Sequence, residues 1–446
     1  MNFEGEESIN ILLDIFKSNF FKKVYMTLAF VGCVTTFICA KPLSRLECIS
    51  LVMKLNFLYD MKLNKLIIVS IFVLSLTVHG CTTNSRNSEN IYHNINIESA
   101  IFNNQKVKLS DYVSCFDYIP IETNENFLVS DIFKFSPSDD YIVICCNATQ
   151  QVYQLSKDGE FLKRIGRRGN AKNEYRAVNR LVTTPESIIV FLGTKIISFS
   201  ASTGEIEQVI LPDDINDVKL FGGFALCGRD SIAILHNMNE GENYISIVND
   251  KSTEVQRIKL WDTQKRKVEV PMPTGGIMQL EWAYTSTLYN VKDSLRVTND
   301  FIDTIYTYSD DKLLPHIVFN YGKLGNKRFE PKLNTELAFT STKVKETKNL
   351  LLFENLDGDK FLYDKTNGET KRIKKFDGSN YQGFTNDIDN GIPFWPVAVT
   401  SDKMYSFMSA DIFIEEAAKS NSEKMKQVAA TITEESNPVI IVATLK

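Results

Sequence analysis

The chain has 446 residues, 43% hydrophobic, 24% charged and 11% aromatic, with a formal net charge of −5. That mixture of apolar and charged residues excludes disordered, collagen-like and coiled-coil classes. The mild acidity lacks the basic footprint of a nucleic-acid binder, and four histidines leave little material for a His-built metal or acid–base centre. At roughly 100–200 residues per domain, the length allows two or three domains or one large β-domain.

Two apolar runs open the chain, residues 24–40 behind Lys22 and Lys23 and residues 66–78 behind Lys62 and Lys65. A membrane-crossing helix needs about 20 apolar residues, so the second run is too short to span. Its length and its positive flank are those of a signal-peptide h-region. It ends in Val78-His79-Gly80-Cys81. This resembles the lipobox of bacterial lipoproteins, in which the cysteine is acylated and the chain is cut just before it. Residues 61–80 are therefore expected to be a lipoprotein signal peptide beginning at Met61, Cys81 the lipidation site, and residues 81–100 a polar tether. Acyl chains at about 0.8 kcal/mol per buried CH₂ hold a protein stably when two or more are present. Residues 1–60 then read as an upstream extension that need not be translated. The rival readings make residues 24–40 a membrane segment, or Cys81 incidental to an ordinary signal peptide.

Removing residues 1–80, which carry eight Lys/Arg and six Asp/Glu, leaves 366 residues with 42 basic and 49 acidic side chains, net −7. Cys115, Cys145, Cys146 and Cys227 remain besides Cys81. They contain no CxxC spacing, which argues against zinc. An exported location permits disulfides, and buried free thiols are the plainer expectation. Cys145 and Cys146 are adjacent in a β-type run and should point to opposite faces.

From about residue 105 the text becomes short β-type runs divided by turn signals. Residues 141–146, 151–155 and 161–165 form one triplet of runs, and residues 187–191, 195–200 and 206–211 form a second. In each triplet the last two runs are joined by a tight turn, Lys157-Asp158-Gly159-Glu160 and then Ser202-Thr203-Gly204-Glu205, which supplies the positive φ that hairpins demand. Related punctuation recurs near 251, 311 and 368, a mean spacing of about 52 residues. Repeats of that size with several strands each are propeller blades, and radial closure protects their edges. The expectation is an all-β fold, a six-bladed β-propeller over residues 101–446, with seven blades the alternative count. Residues 106–109 and 118–122 near the start and 439–445 at the end are candidates for a shared closing blade. One helical stretch at about 411–430, with Ile412, Phe413, Ala417, Met425 and Val428 apolar, reads as an insertion against the outside of the last blade.

Four strings in order resemble a largely uncharacterised family of six-bladed β-propeller lipoproteins of Gram-negative bacteria, itself similar to NHL-repeat propellers. They are Asp158-Gly159-Glu160-Phe161-Leu162 with Ile165-Gly166, Gly169 and Glu174-Tyr175; Asp303-Thr304-Ile305-Tyr306 with Leu314-Pro315; Asp387-Ile388-Asp389-Asn390-Gly391 with Phe394-Trp395-Pro396; and Asn437-Pro438-Val439-Ile440. Where that family has Gly-Pro-Gly before Glu-Tyr, this chain has Ala171-Lys172-Asn173. The resemblance implies a propeller in the cell envelope, lipid-anchored to the outer membrane, on its periplasmic or its outer side.

Candidate binding residues follow from side-chain chemistry. Trp282, Tyr284, Phe394 and Trp395 offer aromatic faces for a sugar or peptide, or simply core. Arg167 and Arg168 lead a basic cluster with Lys163, Arg164, Lys172 and Arg176, whose forks suit acidic groups unless they are merely a solvated loop. Asp387 and Asp389 concentrate oxygen ligands suited to calcium, although their spacing is not an EF-hand's and a plain turn accounts for them. No Gly-x-Ser-x-Gly elbow, HExxH or Walker loop is present. The expected function is a non-enzymatic binding or scaffold module, monomeric, taking a glycan, a peptide or an envelope protein and needing no cofactor beyond, in one reading, calcium. The alternative is a propeller hydrolase or lyase acting on a carbohydrate or lactone through loop carboxylates.

Overall fold

In the computed structural model the described residues are 92–446 apart from 194, 211–220, 229–230, 239, 273–274 and 377–381. The upstream extension, the signal peptide, Cys81 and the tether as far as residue 91 lie outside them.

Alternating β-branched and aromatic runs form six four-stranded antiparallel blades. Blade 1 holds Ile132–Pro137, Tyr141–Cys146, Val152–Ser156 and Phe161–Ile165. Blade 2 holds Arg180–Thr183, Ser187–Phe191, Ile196–Ser200 and Ile206–Ile210. Blade 3 is Phe221–Leu226, Ser231–His236, Glu242–Asn249 and Glu254–Asp262. Blade 4 is Ser286–Val291, Ser294–Asn299, Thr304–Ser309 and Lys312–Asn320. Blade 5 is Lys345–Glu346, Leu350–Glu354, Lys360–Asp364 and Glu369–Ile373. Blade 6 combines Ala398–Val399, Lys403–Met408 and Val439–Leu445 with Val113–Pro120 from the other end of the chain. The last pairing runs from Val439 opposite Pro120 to Leu445 opposite Val113 and closes the ring. Residues 106–109, the other candidate for that blade, stay outside it; Lys108 bridges to Thr385 instead.

The five turn marks are one structural position repeated: each joins the third and fourth strands of blades 1 to 5. Ser309 and Lys312 pair across Asp310 and Asp311, whose φ of 50° and 61° are those of a type I′ hairpin. The longer spacings near 311 and 368 come from chain inserted between blades. A separate hairpin, Lys265–Pro271 with Ile277–Ala283, lies between blades 3 and 4, and short 3₁₀ turns lie between blades 4 and 5. Gly159 shows why glycine marks the position. Its φ is +87°, and a Cβ there would stand 2.5 Å from the Pro120 carbonyl oxygen of the closing strand. Gly159→Ala is expected to lower stability by about 1–3 kcal/mol, read as a fall in the denaturant midpoint with an unchanged slope.

Cores lie between blades rather than within one. Cys145 packs between blades 1 and 2 and Cys146 between blades 1 and 6, on the opposite faces expected of neighbouring strand residues. All four described cysteines are free, and Cys115 departs from the buried-thiol expectation by being exposed; it sits on the outermost strand of blade 6.

Residues 93–100, assigned from sequence to the tether, belong to the propeller. His93–Asn96 adds a parallel fifth strand to blade 4, helix α1 (Ile97–Phe102) follows, and Asn104–Gln105 adds one to blade 5. Ile95 and Ile97 are fully buried, and two apolar residues in so short a stretch give too little periodicity to be seen. The C-terminal helical stretch is two helices, α2 (Ala410–Lys419) and α3 (Glu423–Ala429). Ser422 caps α3 by accepting from Met425 N at 3.0 Å, which breaks the single helix expected. Phe413, Ala417 and Met425 pack with Phe116 and Tyr118 of the outermost strand of blade 6.

Blades 4 and 5 are joined by a buried charge cluster. The Glu346 carboxylate accepts from Lys365 Nζ at 2.6 Å, His316 Nε2 at 2.7 Å and Tyr289 Oη at 2.8 Å, and Arg296 Nε stands 3.5 Å away. His93 adjoins it, ring to ring with His316 at 5.8 Å and 3.2 Å from Tyr363 Oη.

Candidate functional site

Strand alternation sorts the connections by length. Links between first and second strands, and between third and fourth, leave one end of each blade and are short turns. Links between second and third strands, and from one blade to the next, leave the other end, which holds all the long connections. The long end carries α2 and α3, the inserted hairpin, the 3₁₀ segment, the basic loop at 166–179 and the loop bearing Asp387 to Trp395.

The inserted hairpin is the unusual element. Val268 buries its inner face, whereas Ile277 is 66% exposed and Met272, Met278 and Leu280 are also open to solvent. Its first strand is covered: Glu269 N donates to Pro331 O at 2.9 Å and Glu269 O accepts from Leu333 N. Glu269 lies opposite Gln279. Because Glu269 turns its backbone outward there, Gln279 does the same at the other edge. Among the described residues no strand pairs with that edge, 277–283.

Beside the edge lies a groove of about 170 Å³ lined by Trp261, Gln264, Tyr284, Asp303, Arg328 and Phe329, among others. Trp282 and Tyr284 both pack on Phe301, at 5.2 and 5.0 Å between ring centroids. Phe301 holds a φ of +55°, a conformation rare for a bulky side chain. Its N–H donates to Phe339 O at 2.8 Å. Arg328 lies 3.8 Å over the Tyr321 ring and donates to the Phe301 and Ile302 carbonyls, while its Nε is buried without a partner. Of the two groove carboxylates, Asp300 is fully engaged, accepting from Thr285 Oγ1 at 2.6 Å, Ser341 Oγ at 2.9 Å and Ser341 N at 3.2 Å. Asp303 is exposed. The groove therefore offers one disengaged carboxylate, whereas glycoside hydrolysis uses an acting pair.

The remaining candidates sit elsewhere on the long end. Trp395 is half-buried, its Nε1 donating to Glu354 Oε1 at 2.7 Å and its ring stacked on Phe384 at 5.9 Å. Phe394 is 2% exposed and meets Phe116 edge to face, so it gives a ligand almost no surface. Arg167 and Arg168 are exposed on the 166–179 loop. Asp387 accepts from Ser110 N at 2.9 Å and Ser110 Oγ at 2.6 Å. Asp389 accepts from Asn386 Nδ2 and Ser422 Oγ, both at 2.6 Å, and from Gly391 N at 3.0 Å. These two carboxylates are spent on holding the loop to the N-terminal segment and to α3. Among the described residues no three or more His, Cys, Asp or Glu side chains are grouped to hold a metal ion.

Sequence reasoning singles out Trp282 and Tyr284 and passes over Phe301, Arg328 and the open edge. The alternation of Ile277-Met278-Gln279-Leu280-Glu281-Trp282 after Gly275-Gly276 is a hairpin signal that the blade count passed over.

One family model, Domain of unknown function (DUF4934), matches residues 92–444. No curated protein sequence matches the chain. Among solved structures, the BF0058 protein of Bacteroides fragilis NCTC 9343, assigned as an exported protein, is similar with a TM-score of 0.53 at 14% identity, covering 80% of this chain and 99% of that one. A member of the DUF4221 family from Bacteroides vulgatus ATCC 8482 gives a TM-score of 0.41 at 11% identity, covering 75% and 97%. At 14% identity the likeness to the BF0058 protein speaks to fold alone.

Proposed function

The chain belongs to the DUF4934 family, and from that premise we propose that it is a lipid-anchored envelope scaffold that docks an extended segment of a partner protein on its inserted hairpin. The observation that carries this reading is the unpaired edge 277–283 with its exposed Ile277, Met278 and Leu280. An open, apolar edge strand invites aggregation unless something pairs with it, and strand addition is a standard mode of peptide capture. Main-chain bonds to Gln279 and its outward-facing neighbours would supply affinity. The groove of Trp261, Tyr284, Phe301 and Arg328 beside them would supply selectivity.

Export and anchoring are supported by the h-region ending in Gly80-Cys81 and by the exported assignment of the BF0058 protein. No helix among the described residues is long and apolar enough to cross a membrane. Cys81→Ser is expected to move the protein from the membrane fraction to the soluble one.

The docking test uses a photo-crosslinking residue at position 278 in living cells. A discrete adduct is expected. Gln279→Pro should abolish it, because proline removes an outward N–H without breaking a bond inside the hairpin. An adduct that survives Gln279→Pro, or no adduct at all, rejects docking by strand addition.

A second reading, glycan binding, is favoured by the aromatic and planar polar lining of the groove. It is distinguished by a glycan-dependent rise in melting temperature that Tyr284→Ala removes and Gln279→Pro leaves intact.

A further inference from the structure

The groove beside the hairpin is lined by two buried donors that have no acceptor among the described residues. One is Nε1 of Trp261, the penultimate residue of the blade 3 strand Glu254–Asp262, and the other is Nε of Arg328 in the 3₁₀ segment Gly322–Phe329. Arg328 as a whole is only 7% exposed. A buried N–H left unpaired is costly, and both of these sit in the wall of one cavity of about 170 Å³.

Neither side chain is free to turn away. The Trp261 carbonyl accepts from Asn243 Nδ2 at 3.0 Å, Asn243 Oδ1 accepts from Met238 N at 2.7 Å, and the indole leans on Tyr306 with ring centroids 6.3 Å apart. Arg328 is held by its stacking on Tyr321 and by the Phe301 and Ile302 carbonyls, and Arg266 clasps the Arg328 carbonyl in turn. Phe301, which receives Arg328, keeps its φ of +55°. Strain of that kind persists where the surroundings over-determine it, and it clusters at ligand sites.

The rest of the lining defines what a ligand must bring. Asp300 is occupied by Thr285 and Ser341, whereas the Asp303 carboxylate is exposed and makes no hydrogen bond or ion pair among the described residues. An anionic ligand would meet the Asp303 charge. A hydroxyl would add its own proton to a wall already supplied with two. A carbonyl oxygen brings two lone pairs and no proton, and in an amide it comes with an N–H that a carboxylate can accept. Around these groups, Tyr284 and Phe329 offer aromatic surface, and Gln264 and Asn299 offer carboxamides to ring hydroxyls. At about 30 Å³ per water the cavity holds the equivalent of roughly five or six waters, the bulk of one substituted sugar ring.

We propose that this groove binds an N-acetylated sugar by its acetamido group, the carbonyl oxygen accepting from Arg328 Nε and Trp261 Nε1 and the amide N–H donating to Asp303. The inference rests on the glycan reading of the groove and narrows it to one substituent; docking on the 277–283 edge is independent of it.

The test is calorimetry and saturation-transfer NMR on the full chain with N-acetylglucosamine, N-acetylgalactosamine, glucose, galactose and N-acetylglycinamide. At least one acetylated sugar should bind about tenfold or more tightly than its parent sugar, because a site built around hydrogen bonds discriminates against the analogue that lacks them. Its acetyl methyl should be the most strongly saturated resonance, and the difference between the two acetylated sugars reads the 4-hydroxyl. Trp261→Phe keeps the aromatic bulk without the N–H and should weaken the acetylated sugar about three- to tenfold and the parent sugar not at all, a difference that loss of packing would not produce. Asp303→Ala, at an exposed position, should also weaken it and covers the case of a Trp261→Phe protein that does not fold. No sugar binding up to about 50 mM would sink the glycan reading and this inference with it. Equal binding of acetylated and parent sugars would leave the glycan reading standing and overturn the acetamido site. N-acetylglycinamide binding as tightly as the sugars would assign the groove to a peptide amide and overturn it too.

Discussion

Glu346→Ala is expected to destabilise the protein by about 3–5 kcal/mol, the cost of leaving buried cations without their counter-charge. The carboxylate is the hub between blades 4 and 5: Lys365 and Arg296, both strongly buried, converge on it together with His316 and Tyr289. Burial alone would push its pKa up, but the His316 hydrogen bond and the charges of Lys365, His316 and Arg296 outweigh that and hold it at about 2. The folded state therefore prefers the ionised form more strongly than the unfolded chain does. That stabilisation is fully present above the usual 4.5 and is lost as the pH falls from there toward 2, a loss of about 3 kcal/mol in all.

A second acid limb begins higher. Burial first, then the charges of His316 and Lys365, hold His93 below its usual 6.5, so stability declines as the pH falls below 6.5 and the unfolded chain takes up that proton first. Denaturant midpoints measured from pH 7 to pH 2.5 should show both limbs. Glu346→Gln should remove the lower one and leave the His93 limb. A Glu346→Gln protein with the wild-type acid profile would show that the hub does not govern acid stability.

The other large effect is expected at the ring closure, where Asn437→Ala should cost about 2–4 kcal/mol. Asn437 is 1% exposed. Its Oδ1 accepts from Val129 N at 2.7 Å, and its Nδ2 donates to Glu122 O at 2.6 Å and Phe127 O at 3.0 Å. One side chain, two residues before Val439–Leu445, thus satisfies three backbone groups of the 121–131 connection that follows the closing strand Val113–Pro120. Truncation strands these groups in a dry site, and each buried unsatisfied group costs about 1–3 kcal/mol. Limited proteolysis should find the variant cut first near residues 121–131, because closure fails there before the other blades loosen. Asn437→Asp keeps the acceptor but turns a charged oxygen onto two carbonyl acceptors, and should cost at least as much as Asn437→Ala.

The propeller was legible because its information is local. Period-two runs and Asp-Gly or Asp-Asp turns are written in consecutive residues, and the turn after the third strand falls at the same place in blades 1 to 5. Blade 6 breaks the rhythm, since its fourth strand comes from Val113–Pro120, yet the β-rich character of both chain ends pointed to a shared blade. The helix break at Ser422 depends on one cap, and the docking of residues 93–100 on two buried isoleucines. Neither leaves a periodic trace.

Sequence alone determined the all-β class, the radial closure and the opposite facing of Cys145 and Cys146. Only the tertiary structure decided what the polar residues do. Asp387 and Asp389, oxygen-rich in the text, are consumed by hydrogen bonds to Ser110 and Ser422. Glu346, unremarkable in the text, gathers partners from 19 to 57 residues away. Periodicity records which face of a strand is apolar. Whether a charge is paired or a strand edge is covered depends on residues distant along the chain, and closure of the ring is what brings them together.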